Sequence, residues 1–98
     1  MTRSLTGPGA VIGRHAHKAG ERWANETRSR IHRERRAAAG GWPGTMSEAR
    51  ALVAEHVLPV LACEGIVALT SVEREEAARR VYHSARALWL QCREKEAP

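Results

Sequence analysis

Aspartate and phenylalanine do not occur in this chain at all. Its eleven acids are all Glu, and its large aromatics are Trp23, Trp42, Trp89 and Tyr82. Glu, Ala, Arg and Leu favour helix, whereas Asp favours turns and caps. Val and Ile are few and scattered, and no stretch alternates apolar and polar residues over a strand's length. Missing Asp also removes the usual third member of a Ser–His–Asp triad, and no Gly-x-Ser-x-Gly elbow takes its place. A chain of 98 residues with a thin core leaves little room for a substrate pocket of ~300 Å³. The expectation is an all-α, non-enzymatic, single-domain protein.

Long apolar runs are missing too. The longest, Val57 to Cys63, is broken by Pro59, far short of the ~18 residues of a membrane span. Arg3 has no apolar segment behind it, so no secretory signal is expected. Glu21, Glu26 and Glu34 argue against an organellar presequence, and a cytoplasmic location is expected. Cysteine is sparse. Cys63 and Cys92 fall at opposite ends of the expected hairpin, on the order of 30 Å apart at ~1.5 Å per residue. A disulfide needs Cα atoms within ~7 Å, so both are expected as buried thiols in a reducing compartment. His15 and His17 point ~160° apart on a helix, which prevents them from sharing an ion, and His17 with Glu21 falls short of a four-ligand zinc set. His56 reads as a core histidine. Neither metal nor cofactor is expected.

Lysine is nearly absent: Lys18 and Lys95 stand against fourteen Arg. Arg is the better fork for phosphate and carboxylate, although a GC-rich coding sequence produces the same excess. The distribution of charge is more telling. Residues 1–41 hold nine Lys or Arg and three Glu, a net of +6, and residues 42–98 hold seven and eight, a net of −1; together they give the +5 of the whole chain.

The chain divides accordingly. Residues 1–13, with Gly7, Pro8, Gly9 and Gly13, read as a flexible arm. Residues 14–41 read as a basic amphipathic helix over Arg14–Ala39, ended by Gly40-Gly41. Ala16, Ala19, Trp23 and Thr27 form its narrow docking side, at ~100° per residue. Residues 42–98 read as a helical hairpin. After the Trp42-Pro43-Gly44 turn, Thr45 and Glu48 form a capping box for a helix over Met46–Glu64. That helix is apolar nearly all round and reads as a buried spine. Pro59 predicts a kink near Glu55, and Gly65 a left-handed ending with Ile66 on Leu61. Thr70 and Glu73 form a second box, for a helix over Ser71–Glu94. On it Glu75→Arg79 and Glu76→Arg80 make i, i+4 pairs. The short 65–69 connection makes the hairpin antiparallel. Val53, Val57, Leu61, Val81, Ala85, Leu88 and Trp89 are the expected core of a small three-helix bundle.

One constellation points towards function. Arg14, Lys18, Arg28, His32, Arg35 and Arg36 repeat on the outer side of the basic helix. Such a side can follow a nucleic-acid backbone by neutralising phosphates. No aromatics interleave with these cations, so base stacking is not suggested. The expected function is nucleic-acid binding through phosphate contacts. The alternative is a helical adaptor or assembly subunit that docks on an acidic protein surface.

Overall fold

The computed structural model of the chain describes residues 8–33 and 41–96, with side chains described for residues 9–31 and 41–92. Among the described residues there is no strand, and Val57–Leu69 is helix and loop. Helix α1 spans Pro8–Arg33 and α2 spans Met46–Leu52. A π-helical turn, Val53–Val57, carries α2 directly into α3, Leu58–Cys63. Helix α4 spans Ser71–Glu96. The three rods make a small all-α bundle in which α1 and α4 pack most extensively.

Local signals set the helix ends. The Thr45 hydroxyl accepts from the Glu48 amide at 3.1 Å, and Glu48 Oε1 accepts from the Thr45 amide at 3.0 Å. Thr70 and Glu73 repeat the exchange at 3.1 and 2.9 Å. The two amide bonds together satisfy donors that a helix start otherwise leaves orphaned. The α3 end is a Schellman motif. Ile66 donates to the Leu61 carbonyl at 2.9 Å and Gly65 to that of Ala62 at 3.0 Å. Gly65 sits at φ +84°, a conformation that costs glycine nothing.

Helix α1 begins at Pro8, six residues before the expected start. Proline suits a first helical position, where its missing N–H would be unsatisfied anyway. Residues 8–13 of the expected arm are therefore helical; residues 1–7, and the expected stretch from 34 to 39, lie outside the described residues.

Pro59 acts upstream of itself. It has no N–H to return to the Glu55 carbonyl. The ladder ahead of it shifts register, and the Leu58 amide donates to Val53, five residues back. A π turn takes up one extra residue, which changes which side chains face inward. Ala49, Val53, Val57 and Leu61 are all buried at a strict spacing of four. In an uninterrupted α-helix each such step drifts by ~40°; the π turn cancels most of the drift. Val60, next to Leu61 in sequence, is 40% exposed.

The expected buried spine is corrected by the same observation. Ala51, Ala54, Pro59, Val60 and Ala62 are exposed, so only one side of the α2–α3 rod is covered. The tightest packing lies elsewhere. Ile12, Ala16, Gly20 and Ala24 of α1 are buried towards Ala77, Ala78, Val81, Ser84 and Ala85 of α4. A Cβ on Gly20 would lie 2.5 Å from the Val81 carbonyl oxygen and 2.8 Å from the Ser84 Cβ. The two backbones approach this closely only because position 20 has no side chain.

Six of the seven expected core residues are buried; Leu88 is half-buried. Trp89, 2% exposed, closes the far end of the core. Trp42 wedges between it and Trp23, with ring centroids 4.8 Å from Trp23 at 84° and 5.4 Å from Trp89 at 64°. The indole nitrogens of Trp42 and Trp89 are buried without a hydrogen-bond partner among the described residues. Edge-to-face stacking is the geometry in which an indole N–H can point at a neighbouring ring. Cys63 is exposed and Cys92 half-buried, and both are free thiols. The expected burial of Cys63 fails because α3 ends at that residue, on its uncovered side.

Candidate nucleic-acid interface

Helix α1 carries six Arg or Lys and two Glu within Pro8–Arg33. Its buried stripe faces α4, which directs the cations away from the core. Arg14 and Lys18 are exposed, and neither has an ion-pair partner among the described residues. One turn further on, Arg22 is also exposed and donates through Nε to Glu26 at 2.8 Å. Arg28 is half-buried, at the margin of the packed face. His32 is helical, with its side chain outside the description, and Arg35 and Arg36 lie outside the described residues. Of the six expected contact residues, the structure thus brings Arg14 and Lys18 together on one exposed face.

A groove of about 200 Å³ runs beside that face, between α1 and the α2–α3 rod. Its α1 wall is formed by His15, Lys18, Ala19, Arg22, Trp23 and Glu26. Its opposite wall is formed by Leu52, His56 and Val60. These three are four residues apart, and the π turn brings them into one line as it does the buried set. Lys18 belongs to both the groove and the outer face. The sequence reading missed this groove, because one wall depends on a register shift that no motif announces. A partial signal existed: Lys18, Arg22 and Trp23 lie within one turn and a half.

His15, His17 and His56 are engaged differently. His15 contacts the Glu64 carboxylate through Nε2, which ties α1 to the end of α3. His56 is exposed, not a core residue, with Nε2 3.8 Å from Glu55. His17 Nδ1 lies 2.8 Å from the hydroxyl of buried Ser84, and its Nε2 lies 3.5 Å from Glu21. This order of Ser, His and Glu has the outline of a nucleophile, base and orienting acid. It does not assemble a hydrolytic centre. Ser84 lies in the middle of α4, where backbone amides are consumed by the helix ladder, so no oxyanion hole adjoins it. Gly20 packs directly on Ser84, leaving no space for a substrate. The contact is a clip between two helices.

Arg50 spans from α2 to α4 and forks the Glu75 carboxylate at 2.9 and 3.0 Å. Glu75 was expected to pair with Arg79 on its own helix. The hydrogen bond from Arg50 is the larger influence holding Glu75 below its usual carboxylate range, and Arg79 adds a weaker attraction. Glu73 is lowered as well, by the Thr70 amide and then its hydroxyl. No cluster of three or more His, Cys or Glu among the described residues is arranged to hold a metal ion. None of the described helices is long and apolar enough to cross a membrane. The chain matches no protein-family model, no curated protein and no solved structure.

Proposed function

We propose that this protein binds nucleic acid through its phosphate backbone, using the outer face of α1. The observation that carries this reading is one long helix on which Arg14 and Lys18 are exposed, without an ion-pair partner among the described residues, within a segment of net charge +6 over residues 1–41. Cations in that setting gain affinity by releasing counterions from a polyanion. The rest of the chain is close to neutral, so the field is directional.

The test replaces Arg14, Lys18 and Arg22 with Gln. Binding should weaken similarly on every duplex sequence. The salt slope should fall by about 0.9 for each phosphate that is no longer neutralised. Folding should change by under ~0.5 kcal/mol, because all three positions are exposed. Wild-type protein that fails to bind DNA or RNA at low salt, where charge attraction is strongest, would end this reading. Recovery of an acidic protein partner by the wild type, and not by the triple variant, would replace it with the adaptor reading.

A further inference from the structure

We propose that the groove between α1 and the α2–α3 rod receives an unpaired nucleobase, so that the protein prefers single strands to duplex. The proposal rests on the phosphate-binding reading and adds a base-reading site to it. The groove is amphipathic in the way a nucleotide is. Trp23, Ala19, Leu52 and Val60 supply apolar surface. Lys18 and Arg22 stand one turn apart at its margin, and imidazoles from His15 and His56 reach it from opposite walls. The acid that lines it, Glu26, is already paired with Arg22.

Trp23 is half-buried and held edge-to-face against Trp42, with ring centroids 4.8 Å apart. An indole so held is a rigid stacking surface, and stacking is indifferent to base identity because every base has a π-face. Lys18 is shared with the outer face, so a strand held by Arg14 and Lys18 passes the groove's mouth with a base within reach. A paired base cannot leave its stack without loss of pairing energy, so the site selects unpaired nucleotides. Trp23 follows Arg22 directly on α1, and both line the groove together with Lys18, so an aromatic adjoins the cations at this one place.

The experiment measures affinity of the full chain, at one low salt concentration, for three probes: an oligothymidylate, a backbone of equal length with abasic sites, and a duplex. The base-bearing strand should bind about tenfold more tightly than the abasic one. It should also shift the Trp23 indole N–H resonance. Val60→Glu places a carboxylate in the groove's mouth at an exposed position. It should lower affinity for both strands through charge, while their ratio collapses towards one. The ratio isolates the groove, because both probes carry the same phosphates.

Equal affinity of wild-type protein for base-bearing and abasic strands would overturn the groove proposal and leave the phosphate reading standing. A base preference that survives in folded Val60→Glu would overturn the site assignment. Uptake of free AMP with the same indole shift, without base preference on strands, would overturn the strand assignment. Absence of binding to all three probes would remove the phosphate reading, and this inference with it.

Discussion

The two flanks of α1 meet their neighbours differently. Towards α4 the helix presents Ala16, Gly20 and Ala24, and the gap closes until the Gly20 backbone touches α4 directly. Towards the α2–α3 rod it presents His15, Lys18, Arg22 and Trp23, and a groove of about 200 Å³ remains. Size and charge of the side chains set the spacing in each case. Small residues let the two helices reach dispersion contact around Gly20. Long cations cannot be buried without partners, so they hold the second interface ajar. One helix therefore serves as both structural staple and wall of the candidate site.

The severest way to break this comparison is to remove what both flanks rest on. Leu61 is fully buried in the cluster that contains Ile12 and Ala16 of α1 and Val81 of α4. Leu61→Ala should cost ~2–5 kcal/mol in denaturant melts. That is a large part of the stability of a small domain. A loss below half a kcal/mol would mean that Leu61 is not where the three rods converge.

A sharper test sets two glycines of α1 against each other. Gly20→Ala forces a methyl to within 2.5 Å of a backbone oxygen. Overpacking of this kind costs ~1–3 kcal/mol, although Ala improves helix propensity by ~1 kcal/mol. The expected net result is destabilisation. At Gly13 a Cβ would meet nothing within 4 Å, so Gly13→Ala should stabilise by ~0.5–1 kcal/mol through helix propensity alone. Equal and favourable effects at both sites would show that the α1–α4 contact is looser than its geometry.

These contrasts also mark how far the fold could be read from the chain. The ends of the α2–α3 rod and the start of α4 were legible because they depend on local chemistry. Thr45 with Glu48, Thr70 with Glu73, and Gly65 with Ile66 each act within a few residues. Val53, Val57 and Leu61 were legible as core for the same reason of short spacing. The exposure of Val60 follows from the π turn that Pro59 imposes, which a wheel of constant pitch does not contain, and that of Cys63 from the end of α3 at that residue. Gly20 and Ala24 were overlooked because small residues carry little hydrophobic signal, although both are buried and Gly20 lets the α1 and α4 backbones approach directly. Of the candidate interface, the exposed cations Arg14 and Lys18 were legible as one face of a helix. The groove was not, since its second wall comes from residues far along the chain, Leu52, His56 and Val60.

The smallest expected effect concerns a contact that belongs to neither flank. Arg50 and Glu75 tie α2 to α4 through a bidentate pair, and both groups are exposed to solvent. Solvent screening makes such pairs weak, so the signature to seek is a pH dependence and not a large shift in stability. The Arg50 hydrogen bond lowers the Glu75 pKa in the folded chain from its ordinary value of 4.5. A lowered carboxylate favours folding at pH values above its unfolded pKa, and that contribution disappears as pH falls through the folded value. Glu75→Gln removes the titration altogether. The variant should be slightly less stable than wild type at neutral pH, and the two should converge as both are acidified below the carboxylate range. Glu73 keeps its own Thr70 contacts, so a residual acid dependence should remain in the variant. Urea melts at neutral and acidic pH, with and without added salt, measure the difference. A gap between the two proteins that stays constant across pH would mean that Arg50 holds Glu75 by shape alone, with no charge-dependent contribution to the join between α2 and α4.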